Sequence, residues 1–576
     1  MNILGFSAWF HDSSACLLRD GQLVAFVEEE RFSRRKHTPE YPRQSIDYCL
    51  ATGGLTLDEV DAVVYYIDPR RLFVNGLKHM LAFFPRSLSL FRSGTMVLPV
   101  KERYGNLTRI KSILCNAHGA RGRFRLVTLP HYRTHQGAAF LCSPFDEAAI
   151  VTMDVAVDGT TQTIALGRGH TIDTRLTHHL PHAWGMLYSL FTHLVGFKYY
   201  DEYKVMGMSA YGTPAYVDFI EDRLYRLDDT TGSFRLNLDY FAFQHQGMRR
   251  IWSDRLLKEI GPARAPDAPL EQRHYDLAAS AQLATERFGV RLARLAKRFT
   301  GAAHLTMAGG VVQNVLMNQA IAASGIFERT FFQPLASDVG CSLGGALYHY
   351  HCELGQPRSF EMNHLYWGPT YAAEYEAALV RSGLRFTRFD DPAPVVAKAI
   401  ADGAVVGFVC GRMEAGPRAL GARSIIADPR RADMKEMLNL RVKHREHFRP
   451  FAPSCLAERM SDVFEPLPGC ASTEYMIVTA KVRDAMSAGV PAITHQDGTS
   501  RPQAVDRATN PLYWQIIHEF DKLTGVPLVV NTSFNDNEPI VCTPQDAINC
   551  FLRTHIDLLV FEHFVVYRDQ NLDRVA

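Results

Sequence analysis

Two stretches of this chain are built to one plan, and that repetition limits the fold more than any other feature. In the first, apolar Met1–Phe6 leads through a polar turn to Ala15–Leu18, the turn pair Asp20-Gly21 and Leu23–Val27. In the second, Ala148–Met153 leads through Asp158-Gly159 to Thr161–Leu166. Short apolar runs punctuated by Asp-Gly read as buried strands joined by tight turns. Because each stretch sets a polar turn after an apolar strand, a duplicated core is expected. Val60–Tyr66, Leu126–Leu129 and His304–Met307 read as further strands. Helical spacing covers Ser45–Ala51, a helix starting near His131, Ala268–Phe299 and Asn314–Ala323. The expected class is α/β.

At 576 residues the chain is too long for one ordinary core, since domains run to about 100–200 residues. Gly and Pro punctuate 354–369 without periodicity, which divides the chain into 1–355, with an apolar insertion near 72–120, and 356–576. After this boundary Val405–Val409 and Pro527–Val530 read as strands. The net charge of +1 gives no global pull toward nucleic acid or an anionic membrane, so any basic site must be local. Eleven scattered cysteines fit a reducing compartment. The N-terminus lacks a basic leader, and Lys78, Pro85, Arg86 and Arg92 interrupt the most membrane-like stretch, Leu72–Val100. A cytoplasmic location, with no membrane and no nucleic acid as partner, is expected.

Candidate chemistry in the first part begins with His131 and His135. Spaced i, i+4 on a helix, their rings share one face and can reach one ion. Asp154, at the end of a strand, and Asp338, in a polar loop, would complete a nitrogen/oxygen site for Fe or Zn. A helix with two polar positions is the structural alternative. In MAGGVVQN, Gly309 and Gly310 permit close backbone approach before a helix start, and Asn314 could bond a ribose or base. Lys204, in KVMGMSAYG, is a candidate nucleotide contact or a solvated lysine beside a tight turn. His11-Asp12-Ser13-Ser14 is a polar group in an apolar entry, so it must be satisfied or functional.

In the second part, GRMEAGPRALGARSIIADPR (411–430) gathers Arg412, Arg418 and Arg423 among glycines. NLRVKHREHFRPFAP adds Lys443, Arg445 and Arg449, HQDGTSRPQAV adds Arg501, and NTSFNDNEP adds Asn531, Ser533 and Asn535. Guanidinium groups bind phosphate and carboxylate with paired donors. A surface ion pair is the expectation for Arg430 and Arg441, and an anion site for the set.

Taken in order, GFSAWFHDSSACLL, EEERFSRRKH, HxxxH, MDxxxDG, KVMGMSAYG, MAGGVVQN and SDVGCSLGGA resemble the NodU/CmcH carbamoyltransferases. GRMExGPRALGxRS and VKxREHFRPFAPS resemble the same family's C-terminal domain. The resemblance covers the chain except about 72–120. It implies a duplicated ASKHA (actin-like ATPase) domain fused to a YrdC-like α/β domain. It further implies that His131, His135, Asp154 and Asp338 hold the metal, and that Gly309, Gly310 and Asn314 contact the nucleotide. Lys443 and Arg445 fit the KxR element of YrdC-like proteins, and Ser533 and Asn535 its SxN element. Lys443, Arg449, Arg501 and Asn531 would receive carbamoyl phosphate, with Arg418 nearby.

The pathway so implied makes carbamoyl-adenylate from carbamoyl phosphate and ATP, with Mg accompanying the nucleotide. It then passes the carbamoyl group to a hydroxyl of a small-molecule natural product, such as an antibiotic scaffold. Lys443 and Arg449 are the catalytic candidates for the first step, and His11 the base for the second, oriented by Asp12. The apolar insertion Phe73–Val100 could be an acceptor wall, a lid or a dimer contact, so a homodimer stays among the expected partners. The rival readings are a tRNA threonylcarbamoyladenosine-type modification enzyme, disfavoured by the near-zero charge, and a sugar kinase of the same fold.

Overall fold

The computed structural model describes residues 1–91, 105–155, 157–443, 445–446 and 448–572. The part of the expected insertion at 92–104 lies outside the described residues, as does the side chain of Arg441. Two compact units are formed: Met1–Glu29, His37–Met362 and Pro468–Ala471 make the first, and Glu30–Lys36, Asn363–Leu467 and Ser472–Ala576 the second.

The first unit opens with β1 (Asn2–Ser7), β2 (Ser14–Arg19), β3 (Gln22–Glu28), β4 (Ala62–Tyr65) and β5 (Arg125–Thr128). They form a sheet of order β3-β2-β1-β4-β5. Asp20 and Gly21, both at positive φ, close the β2–β3 hairpin, as a tight turn matched to strand twist requires. A second sheet follows from β6 (Glu147–Met153), β7 (Thr160–Arg168) and β8 (Thr171–His179). A small hairpin of β9 (Tyr225–Leu227) and β10 (Phe234–Leu236) intervenes. Then β11 (His304–Ala308) and β12 (Arg329–Phe332) complete the order β12-β11-β6-β7-β8.

The two sheets share strand order and pairing sense. In each, the first strand pairs antiparallel with the second and parallel with the fourth. The third pairs antiparallel with the second, and the fourth parallel with the fifth. The chain therefore runs through one five-strand plan twice, as its two look-alike hairpins predict. The long helix is Gln272–Thr300 and not Ala268–Phe299. Pro269 disfavours helical backbone at Ala268, and Gly301 in the left-handed conformation ends the run.

After the fifth strand of each repeat comes a helix, His131–Leu141 in the first and Cys341–Leu347 in the second. They pack backbone to backbone through Gly137 and Gly344. A Cβ on Gly137 would meet the Gly344 carbonyl oxygen at 2.3 Å, and one on Gly344 would meet the Thr134 carbonyl oxygen at 2.0 Å. Only glycine allows this approach, and it brings the N-terminal turns of the two helices together.

The second unit carries β13 (Thr387–Arg388), β14 (Val406–Val409), β15 (Arg423–Ala427), β16 (Ala452–Leu456), β17 (Ala480–Lys481), β18 (Thr499–Ser500), β19 (Gln503–Val505), β20 (Leu528–Ser533), β21 (Leu558–Phe561) and β22 (Phe564–Tyr567). Eight of them form one mixed sheet of order β13-β22-β21-β14-β15-β20-β16-β19. Its apolar side chains make a continuous core with those of helices Ala393–Ala401, Pro511–Thr524 and Pro544–Arg553. β20 extends three residues past the expected strand. Asn531 and Ser533 pair with Ile426 and Ser424 of β15, so they belong to the sheet and not to a loop.

Candidate functional site: a His/Asp cage and a cationic cluster

In the first unit, His131 and His135 sit in the first two turns of their helix, almost wholly buried. The helix start is held by Asp158, whose carboxylate accepts from the His131 backbone N–H at 2.9 Å. Their Nε2 atoms face each other at 3.1 Å. Asp154 Oδ2, just past β6, lies 3.2 Å from His131 Nε2 and 3.9 Å from His135 Nε2. Asp338 Oδ1 lies 3.4 and 3.7 Å from the same two nitrogens. These edges bracket about 3.4 Å, the edge of a tetrahedron whose centre is about 2.1 Å from each corner, a usual Zn–N or Zn–O distance. Two imidazole nitrogens that face each other, both buried, are also hard to satisfy without a cation between them. The donors present fit a divalent metal.

Cys341 was not foreseen from the sequence. Its Sγ lies 3.5 Å from the His135 ring nitrogens, and it groups with His131, His135 and Asp338 as a set able to hold an ion. The only signal in the sequence was its place three residues after Asp338.

His11 and Asp12 adjoin the cage. Asp12 takes His11 Nδ1 at 3.0 Å on one oxygen and His37 Nδ1 at 2.7 Å on the other. His11 Nε2 lies 3.4 Å from Asp338 Oδ2. His37 stacks on Tyr200 with ring centroids 4.7 Å apart. Asp12, His37 and Tyr200 all have positive φ, and strained backbone of this kind gathers at working sites. His37 and Tyr200, too, were not singled out in the sequence. Burial would lower the His11 pKa, but Asp338 and Asp12 outweigh it and hold it up at about 9. His135 is held up at about 10 against burial by Cys341 and Asp338. Asp338, although buried, is driven well below the usual carboxylate range by His11 and His131.

The glycine turn has a structural cause. Gly309 has φ +104°, and a Cβ there would meet the Met153 carbonyl oxygen at 2.2 Å. A Cβ on Gly310 would lie 3.4 Å from Asp154 Oδ1, so the turn borders the cage. Asn314 caps helix Val315–Ala323 by accepting from the Met317 N–H, and its amide donates to Gln282 Oε1 at 2.8 Å. Lys204 pairs with Asp201 at 3.3 Å.

In the second unit the arginines divide into two groups. Arg412 donates to the carbonyls of Trp367 and Gly368, and buried Arg423 to those of Pro369, Cys410, Gly411 and Ala422. These two lock loops together, which corrects their reading as anion ligands. Arg430 pairs with Asp428 at 2.7 Å, as expected. The remaining cations crowd one another. Arg501, its Nε buried without a hydrogen-bond partner, is driven well below the usual guanidinium range by burial and by Arg418, Arg445 and Arg449. Lys443 is driven well down by burial, Arg445, Lys36 and Arg449. Its ammonium donates to the carbonyl oxygens of Ser533 and Asn535 and, at 2.7 Å, to Asn535 Oδ1. Arg445 lies over the Phe451 ring and bonds Asn439. Lys36 was missed because it comes from the N-terminal segment Glu30–Lys36. Asn531 is almost fully buried and its amide donates to Ala419 O and Ser454 Oγ.

Arg449 faces Glu446 at 3.8 Å, and a further anion that joins these mutually repelling cations should stabilise the fold. Phosphate should therefore raise the thermal unfolding midpoint. At a hundredfold excess over its Kd the gain is about 2.7 kcal/mol, a shift of several degrees. Arg501→Met should remove the shift. A midpoint indifferent to phosphate in the native chain would remove the anion site.

Residues 2–347 match the family model for the carbamoyltransferase N-terminus, and residues 397–568 match that for the carbamoyltransferase C-terminus. The chain belongs to the carbamoyltransferase family. This carbamoyltransferase is 40% identical to an uncharacterised protein of Synechocystis sp., over 98% of its own length and 96% of that protein's. To nodulation protein NolNO of Sinorhizobium fredii it is 38% identical, over 97% of its own length and 79% of the relative's. Among solved structures, the (R)-2-hydroxyglutaryl-CoA dehydratase component A of Acidaminococcus fermentans matches at 15% identity. It covers 61% of this chain and 98% of that one, with a TM-score of 0.33, too loose to bear on the fold. No helix among the described residues is long and apolar enough to cross a membrane.

Proposed function

We propose that this transferase is an ATP-dependent O-carbamoyltransferase with a separate chemical step in each unit. The observation that carries the reading is the crowding of Arg418, Arg445 and Arg449 around Arg501, with Lys443 beside Arg445 and Arg449, an arrangement that calls for a small polyanion. Carbamoyl phosphate suits it. In this reading water cleaves its phosphate, freeing carbamate. A carbamate oxygen then attacks the α-phosphorus of ATP, pyrophosphate leaves, and carbamoyl-adenylate remains. The guanidinium groups stabilise the charge gathering on the phosphoryl oxygens. The eight-stranded unit is then the YrdC-like domain, and the twice-run five-strand plan the ASKHA domain.

In the first unit, an acceptor hydroxyl attacks the carbamoyl carbon and AMP departs. His131, His135, Asp154 and Asp338 would hold a divalent metal, Fe or Zn. When bound, it would supply positive charge to the leaving phosphate and offset the carboxylate charge that holds His11 up. His11 takes the hydroxyl proton on Nε2, and Asp12 keeps the ring in place through Nδ1. The Gly309-Gly310 turn would contact the nucleotide beside Asp154, with Lys204 and Asn314 near it. The acceptor is a hydroxylated small molecule.

The test is product analysis. AMP and pyrophosphate should form from ATP only when carbamoyl phosphate is present, whereas ADP as product would indicate a kinase. His11→Asn should slow transfer from supplied carbamoyl-adenylate by about 10²–10⁴-fold, the range for a positioned base. Full transfer by that variant would remove His11 from the mechanism.

A further inference from the structure

Helix Pro69–Ala82 and the 3-10 segment Arg86–Phe91 are amphipathic in the inverted sense. One face of the helix turns polar groups inward. Arg71 donates to Thr160 Oγ1 at 2.8 Å, Asn75 Nδ2 donates to the Asp158 carbonyl at 2.7 Å, and His79 Nε2 meets the Gln244 carbonyl at 2.8 Å. Residues 71, 75 and 79 are spaced i, i+4, so this is one helical face. Ser87 and Ser89 do the same in the 3-10 segment, donating to the carbonyls of Met80 and His245. The apolar side chains point the other way: Val74, Leu77, Leu81, Phe84, Leu88 and Phe91 are 46–68% exposed. More than half of the exposed large apolar side chains among the described residues lie between Phe73 and Phe91. A folded chain does not leave so dense a patch to water without a partner.

Charge identifies the partner. Arg70, Lys78 and Arg86 are exposed beside the apolar side chains, and no Asp or Glu occurs between Pro69 and Phe91. Two copies docking through this surface across a two-fold axis would bring like charges together. At the start of the helix a cavity of about 680 Å³ is lined by Arg70, Arg109 and Lys111 with Leu107, Ile110 and Leu126, and Asp68 is its one acid. The Asp68 carboxylate is engaged in capping the helix through the N–H groups of Arg70 and Arg71. Cations flanking exposed Leu and Phe match an anionic phospholipid surface, with acyl chains under the apolar strip and a headgroup phosphate at the cavity. We infer that this surface docks the protein on an anionic membrane, lying in the interface without spanning it.

The experiment is co-sedimentation of the full chain with vesicles of phosphatidylcholine alone, or with about one third phosphatidylglycerol, a typical anionic fraction. The native chain should bind the anionic vesicles about tenfold more strongly than the neutral ones, and high salt should abolish the difference. Leu81→Glu and Phe84→Glu should each weaken binding about tenfold or more, with an unchanged unfolding midpoint. Arg70→Gln with Lys111→Gln should remove the preference for phosphatidylglycerol, which keeps the test decisive if a glutamate variant fails to fold. Native protein that stays in the supernatant with both vesicles overturns the inference. So does binding that ignores salt and lipid charge. A vesicle-free dimer that Leu81→Glu converts to monomer would assign the surface to a second copy and overturn it as well.

Discussion

Asp338→Asn is expected to empty the cage and to lower carbamoyl transfer by about a thousandfold or more, roughly 4 kcal/mol of barrier. The carboxylate faces three imidazoles, with Oδ1 3.4 and 3.7 Å from His131 and His135 and Oδ2 3.4 Å from His11. An amide keeps the shape but loses the charge that pairs with those rings. Breaking a buried charge pair from one side costs about 3–5 kcal/mol, so stability should fall as well. Elemental analysis should show metal in the native chain and almost none in the variant. Pyrophosphate release from carbamoyl phosphate and ATP should persist, because the second unit is untouched. A variant with full metal and full transfer would sink the assignment.

The cage also has a pH signature. In the metal-free chain His135 is held up at about 10, so its protonated form stabilises the fold. That stability is fully present below the ordinary histidine pKa and is lost as pH rises through about 10. Asp338 is held well down, so its contribution is present above the ordinary carboxylate range and lost in acid. Metal must displace the imidazole protons, so its affinity should rise with pH. Proton release on metal binding, followed calorimetrically in two buffers, checks this.

Lys443→Met should lower carbamoyl phosphate-dependent pyrophosphate release by about a hundredfold or more, about 2.7 kcal/mol. Transfer from supplied carbamoyl-adenylate should be spared. The ammonium cross-links the end of β20, through the Ser533 carbonyl, to Asn535. Methionine fills the volume but leaves those acceptors unmet, at about 1–3 kcal/mol. Because burial and the neighbouring cations push the lysine pKa down, an anion that joins them must push it back up. Carbamoyl phosphate should therefore bind with proton uptake, more tightly as pH falls through the lysine's depressed pKa. Equal loss of both steps in the variant would argue against a separate chemistry in each unit.

Much of the fold was legible because the signals were local. Asp20-Gly21 closes a hairpin by its own backbone preference, and the repeated hairpin foretold a repeated sheet. The i, i+4 spacing of His131 and His135 placed two rings on one face before any packing was known. Arg412 and Arg423 were misread with the other arginines, since charge alone does not say whether carbonyls or anions will meet a guanidinium. Cys341, His37 and Tyr200 carry no short-range pattern, and Lys36 lies far along the chain from Lys443. For the helix Pro69–Ala82 the sequence left a wall, a lid or a dimer contact open, and only the structure shows that its polar face is the one that turns inward.

By itself the sequence determined the hairpins and helices with strong local signals, the chemical types of the donors and the family. Those follow from residue identity and spacing within a turn or two of chain. Tertiary structure alone decided that Gly137 and Gly344 touch, and so that His131 and His135 of one repeat meet Asp338 and Cys341 of the other. It also decided which cations lie near enough to repel one another. Distances between residues hundreds of positions apart are set by packing, and no local preference encodes them.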